Sequence, residues 1–176
     1  MSGQAAEGAG VEIRLAEAGQ VPSVLLVMHE AAAAVGEGIY YPDDPDFVSA
    51  HIATHGRTLL GLVDSHVAGF LIVRFPGRCE DNLGRDIGLT HADHPLVAHM
   101  ESVAVLPRYW GLGLQRQLVE TAESQLLHPP LRWSMCTVAP GNHASLRNFQ
   151  QLGYAVVKTT LKYGGHVRHV MLKELR

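Results

Sequence analysis

Residues His99–Gln117 read HMESVAVLPRYWGLGLQRQ. The run His99–Leu106 has the composition of a strand and stops at Pro107, which has no N–H to give a ladder. Gly111 and Gly113 mark a tight turn. Leu114–Leu127 then has the apolar spacing of an amphipathic helix, ended by the Pro129-Pro130 pair. Glycines let the main chain approach a ligand closely and adopt conformations closed to other residues. The first N–H groups of a helix are unpaired and carry partial positive charge, which suits a pyrophosphate. Two phosphate loops are excluded. A P-loop needs G-x-x-x-x-G-K-(S/T), and no Lys-Ser or Lys-Thr follows; a dinucleotide fingerprint needs a third glycine where Arg116 stands. A tight turn packing a helix on a sheet is the plainer reading of a bare G-x-G.

Upstream, Val11–Ala18 alternates as a half-buried strand. Val21–Val35 reads as a buried helix ended by Gly36 and Gly38, and Asp43–His55 as a second helix after an aromatic loop at Tyr40-Tyr41-Pro42. Arg57–Asp64 and His66–Phe75 form a hairpin about Ser65, and residues 76–97 a long loop. Downstream come a strand at Arg132–Ala139, a helix at Ala144–Leu152 closed by Gly153, and strands Tyr154–Tyr163 and Val167–Leu175. This order, β-α-α-β-β-β-α-β-α-β-β, predicts one α/β (α+β) domain over residues 11–176 after a loose tail, residues 1–10.

The 176 residues suffice for one domain with a sizeable core. A net charge of −3 gives no basic face for nucleic acid. Cys79 and Cys136 are far apart and fit a reduced, cytoplasmic protein. Residues 1–10 lack the basic start and apolar core of a signal peptide, and no apolar run reaches the ~20 residues of a membrane span. Of eleven histidines, His51 and His55 share a helix face and His91, His94 and His99 cluster near the loop, yet no H-E-x-x-H or Cys/His quartet appears. No metal is expected. Cys136, mid-strand with no adjacent histidine, reads as packing.

The segment PRYWGLGLQRQL resembles the coenzyme-A-binding motif of the GNAT acetyltransferase superfamily, P-x-Y-(R/Q)-G-x-G-(I/L)-(G/A)-x-x-L. Pro107, Tyr109, Gly111, Gly113, Leu114 and Leu118 match, while Trp110 replaces Arg or Gln and Gln115 replaces a small residue. VAPGNHASLRNFQQLGY, Val138–Tyr154, is similar to the family's second motif through Val138, Asn142, Ser145, Leu146, Phe149, Gly153 and Tyr154. The resemblance spans roughly residues 11–176. It implies a single-domain GNAT fold, a mixed central sheet of about seven strands with flanking helices. It further implies transfer of an acetyl group from acetyl-CoA to an amine of a small molecule or peptide, and a tendency to homodimers.

Residue by residue, the resemblance places the cofactor on Val103, Ala104, Val105, Trp110, Gly111, Leu112, Gly113, Leu114, Gln115 and Asn142, with a backbone N–H among Val103–Val105 for the oxyanion. Asn142 also suits a helix N-cap. Glu101 is the candidate base. Strand alternation puts its side chain on the face of Val103, and its plainer role is a structural carboxylate. Phe149 stands where the family often has a proton-donating Tyr, which leaves Tyr154, Tyr163, water or no acid at all. The Gly36–Pro42 loop, the 76–97 loop and the closing hairpin are expected to select the acceptor. Tyr40 and Tyr41 would wall its pocket, and Glu37, Asp43 and Asp44 would attract a cation unless they merely start a helix. Two other readings remain open: a non-catalytic acyl-CoA sensor on the same scaffold, and a nucleotide-binding domain using the same glycine turn.

Overall fold

The sheet is built around inner strands that bury both faces. The computed structural model describes residues 10–176; the expected tail, apart from Gly10, lies outside the described residues. Seven strands form one sheet: β1 (Val11–Leu15), β2 (Gly56–Val63), β3 (His66–Arg74), β4 (Val97–Val105), β5 (Trp133–Val138), β6 (Ala155–Lys162) and β7 (His166–Glu174). Their spatial order is β1-β2-β3-β4-β5-β7-β6, antiparallel everywhere except between β4 and β5. Leu59, Leu60, Leu62 and Val63 on β2, and Phe70, Leu71, Ile72 and Val73 on β3, are all buried. Their near-continuous apolar runs are what a sheet covered on both faces demands.

One face carries α1 (Val21–Val35) and α2 (Pro45–Ala53), the other α3 (Leu114–Leu126) and α4 (His143–Gln151). The stripe Val24, Val27, Met28 and Ala31 of α1 packs on Leu60, Phe70, Ile72 and Leu106. On the opposite face Leu114, Leu118, Val119 and Ala122 of α3 pack with Leu59, Leu71, Val73 and Met100. Residues three or four apart lie on one helical stripe, so each helix presents one apolar face to the sheet.

Two expectations change. A short 3₁₀ turn, Ala18–Gln20, precedes α1, and the combined run Ala18–Val35 is long and apolar enough, by composition alone, to cross a membrane. In the fold its apolar stripe is spent on the core. Helix α2 is shorter than Asp43–His55 because Asp44 caps it, accepting a hydrogen bond from the Phe47 N–H at 2.8 Å, with Pro45 at the first helical position. Asp43 is thereby left in the loop.

The long loop is tied down by buried polar groups. Asn82 donates to the carbonyls of Gly77 (2.7 Å) and His94 (3.0 Å) and accepts from Gly84 N–H (2.8 Å). The Leu83 N–H donates to His99 Nε2 at 3.1 Å. None of residues 76–97 lines either cavity described below; through Leu83 the loop instead braces His99 behind the site.

Candidate active site

The gap between β4 and β5 sets up the site. The two strands pair only at Val97↔Trp133, Ala98↔Ser134 and His99↔Met135. Beyond His99 β4 continues to Val105 while β5 stays with β7 as far as Val138↔His169, so the parallel strands splay apart. Leu106 N–H donates to Ala68 on β3. Main-chain groups alternate in direction along a strand, so those of Ala104 face β3 and those of Val103 and Val105 face the gap. The expected Val103–Val105 set is narrowed to the main chain of Val103 and the N–H of Val105. Trp110 Nε1 donates to the Val105 carbonyl at 2.8 Å, pinning the glycine turn to the strand's end.

Two cavities fill the gap. The larger, about 530 Å³, lies between the α3 and α4 N-termini and is lined by nine of the ten expected cofactor residues: Val103, Ala104, Val105, Trp110, Gly111, Gly113, Leu114, Gln115 and Asn142. Leu112 is absent from the lining; it is largely exposed, and its carbonyl accepts from Gln117 Nε2. Gly111 and Gly113 have φ of +86° and +70°, a region that strains any side chain. Nothing lies within 4 Å of where a Cβ would stand on Gly111, so the turn is open as well as left-handed.

The first α3 ladder bond runs from Gln117 N–H to the Gly113 carbonyl. The N–H groups of Leu114, Gln115 and Arg116 therefore have no helical partner. No acidic residue or side-chain cap occupies that end, which leaves its positive pole free for an anion.

The position of this helix end is fixed by a feature the sequence did not disclose. Gly61 and Gly69 are paired across β2 and β3, and the Leu114 side chain fills the space they leave. A Cβ on Gly61 would stand 2.8 Å from Leu114 Cδ1, and one on Gly69 2.9 Å from the Ala104 carbonyl oxygen. Asn142 caps α4 as expected, accepting from Ser145 N–H at 3.2 Å. Gln115 spans the two helices, donating to Ser145 Oγ and accepting from Asn148 Nδ2, both at 2.9 Å. Its departure from a small residue thus builds a bridge across the cavity.

The smaller cavity, about 210 Å³, adjoins the first and shares Ile39, Tyr40, Val103, Asn142 and Ser145 with it. Glu101 lines it, but not on the face expected. The β3–β4 register slips between Ile72 and Val73, leaving Glu101 as a bulge opposite no β3 residue. A bulge resets alternation: Ala98 and Met100 join the α3-side core, and beyond it Val103 and Val105 pack on that same core. Glu101 instead stays with His99, whose Nδ1 lies 3.2 Å from Oε2. His99 Nε2 already accepts the Leu83 N–H, so Nδ1 carries the hydrogen and donates. Arg74 Nη1 is 3.7 Å from the other Glu101 oxygen.

Asp43 also lines this cavity. Burial, then the negative charge of Glu101, push its carboxyl up to about 6 from an ordinary 3.8, against the lowering effect of Ser102. Tyr40 and Tyr41 line it as expected, the Tyr40 hydroxyl lying 2.7 Å from Ser102 Oγ. Glu37 and Asp44 do not line either cavity. Phe149 is buried at the floor, edge-on to Tyr154 at 5.0 Å. Tyr154 lines neither cavity, and its hydroxyl bonds Ser134 Oγ at 2.7 Å within the core. Tyr163 does line the smaller cavity, its hydroxyl 2.9 Å from Thr137 Oγ1. Cys136 is buried, which pushes its thiol far above the ordinary range. Among the described residues no group of three or more His, Cys, Asp or Glu is placed to hold a metal.

A family model described as "Acetyltransferase (GNAT) family" matches residues 27–154, more than half of the chain. The chain belongs to the GNAT acetyltransferase family. Solved structures agree on the GNAT fold. The ribosomal-protein-S18-alanine N-acetyltransferase from Escherichia coli is 16% identical, with a TM-score of 0.71 over 94% of each chain. Arabidopsis thaliana NAA60, solved in complex with acetyl-CoA, is 12% identical, with a TM-score of 0.74 over 94% of this chain and 99% of that one. PaiA N-acetyltransferase from Thermoplasma acidophilum, solved in complex with coenzyme A, is 15% identical, with a TM-score of 0.69 over 94% and 99%. At these identities the likeness is one of GNAT fold alone. No protein of curated function matches the sequence.

Proposed function

We propose that this protein transfers an acetyl group from acetyl-CoA to an amine. The observation that carries the reading is the larger cavity, where the unpaired α3 N-terminus and the gap-facing main chain of Val103 and Val105 meet in one open space. The residues fit the group. Free N–H groups and a positive helix end suit a pyrophosphate, and an unpaired strand edge suits the amides of a pantetheine arm. Solved GNAT neighbours hold acetyl-CoA or CoA, which supports the same use here.

Bound acetyl-CoA supplies a thioester carbonyl and a thiolate leaving group. The Val103 N–H, on the open edge beside both cavities, donates to the developing oxyanion, a preorganised contribution that costs no reorganisation. Glu101, fixed by His99 and Arg74, holds the ammonium form of the acceptor. Asp43, poised near neutrality, takes its proton and frees the lone pair. The Tyr163 hydroxyl is the donor for the departing sulfur, in place of the phenol that Phe149 lacks. Phe149 also favours a second reading, a sensor that binds acyl-CoA without turnover.

Calorimetric titration of acetyl-CoA, with a Gly111→Val/Gly113→Val variant as control, tests the site. Saturable binding to the wild type and none to the folded variant is expected, because valine at positive φ is strained. A folded wild type that binds no acetyl-CoA refutes the reading. Thiol release over an amine panel then separates enzyme from sensor.

A further inference from the structure

Three charged residues line the smaller cavity: Asp43, Glu101 and Arg168. The two carboxylates are accounted for above, whereas the arginine has no role in the transfer chemistry. Arg168, on β7, is 4% exposed. Its guanidinium sits between two aromatic rings, 5.6 Å from the Tyr41 centroid and 5.9 Å from that of Tyr163. Nη1 donates to the Ile39 carbonyl at 3.0 Å. Among the described residues no carboxylate lies within ion-pair distance of it, and the remaining N–H groups have no protein partner.

A buried cation without an anion is costly, and a guanidinium has five donors in a planar fork matched to a carboxylate. Tyr41 and Tyr163 hold that fork in place, and Tyr41 is itself braced by His166, 3.2 Å from its hydroxyl. The cavity thus holds carboxylates for an ammonium and a basic group for a carboxylate. Its volume of about 210 Å³ is below the ~300–1,000 Å³ of pockets for drug-sized ligands.

Resting on the acetyl-transfer reading, we propose that the acceptor is an amino acid with a free carboxylate, its ammonium held by Glu101 and Asp43 and its carboxylate by Arg168. One proton leaves the ammonium to Asp43 and passes to solvent. The amine lone pair forms the N–C bond at the thioester carbon, the C–S bond breaks, the nitrogen gives up its second proton as the amide forms, and the thiolate takes a proton, so that one proton is released net. The products are an N-acetylamino acid and CoA, and no oxidant or reductant enters. A peptide N-terminus, the other acceptor class, carries an amide where this site offers the guanidinium.

The test compares α-, β- and γ-amino acids with their matched amides and with amide-terminated peptides, reading thiol release at saturating acetyl-CoA. Free acids are expected to exceed their amides by at least about 10-fold in kcat/KM, the scale of one charge-assisted pair. In Arg168→Gln the two should fall within about 3-fold of each other, through KM more than kcat, with acetyl-CoA affinity unchanged as the control for folding. Amides or peptides that match or exceed the acids in the wild type overturn the proposal, and so does discrimination that survives in Arg168→Gln. Should that variant not fold, the wild-type comparison of acid with amide decides alone. If acetyl-CoA binds but no amine releases thiol, transfer itself fails as a reading. Melting temperature of the CoA-loaded protein then tests the site: a rise with acids and not with amides supports it, and no rise overturns it.

Discussion

Replacing Asp43 by asparagine tests the acid–base assignment through stability as well as rate. Asp43 sits half-buried in the smaller cavity among Tyr40, Asp44, Glu101 and Ser102, its carboxyl pushed from 3.8 up to about 6 by burial and then by Glu101. A group whose folded value is raised binds more protons folded than unfolded between those two pH values. Stability is therefore fully favoured below about 4 and declines as pH rises to about 6. At ~1.4 kcal/mol per pH unit the full effect would be about 3 kcal/mol, and solvent screening of a half-exposed carboxylate reduces it to about 1 kcal/mol. The asparagine side chain carries no charge, so Asp43→Asn should be about 1 kcal/mol more stable than wild type at pH 7 and equal to it near pH 4. Urea unfolding of both proteins from pH 4 to 8 reads the difference directly. Activity should move the other way. Wild-type kcat/KM should fall below about pH 6, and the variant should lose roughly 100-fold, the lower range for a general base. A difference curve that stays flat across pH 4–6, or a variant no more stable at pH 7, would refute the argument.

Two further outcomes follow from packing around the cofactor turn. Gly61→Ala forces its new methyl to within 2.8 Å of Leu114; it should cost about 1–3 kcal/mol as overpacking and weaken acetyl-CoA binding. Adding Leu114→Ala should recover part of that cost, so that the double variant departs from additivity by at least about 0.5 kcal/mol in a denaturation cycle; strict additivity would sink the account. Gln115→Ala removes both bonds to α4 and should cost about 1 kcal/mol, with faster amide exchange at His143–Asn148 than in wild type as the readout.

How far the site was legible varies from residue to residue. The glycine turn and Asn142 stood out because their roles are local: positive φ at Gly111 and Gly113 and a cap bond three residues ahead are fixed by neighbours in sequence. Tyr40 and Tyr41 could be assigned to a pocket wall because they lie in the loop before α2. Glu101, the expected base, lines the smaller cavity from a different face than strand alternation implies, since a bulge depends on how the partner strand pairs. Asp43 read either as a carboxylate for a cation or as a helix start; it became a perturbed carboxyl because Asp44 took the cap and left it beside Glu101. Arg168 gave no signal, as an arginine in an alternating strand reads as a solvated side chain.

The sequence by itself determined the element order, the two buried helical stripes, and the strand–glycine–helix unit that marks the family, because periodicity and backbone preference act over a few residues. Only the tertiary structure decided where β4 and β5 part, which main-chain groups are left unpaired there, and which charges meet in the gap. Those outcomes depend on residues far apart in the chain, such as Gly61 against Leu114 and Ile39 against Arg168. No local pattern encodes such contacts, since they exist only once the strands have paired and the helices have settled on the sheet.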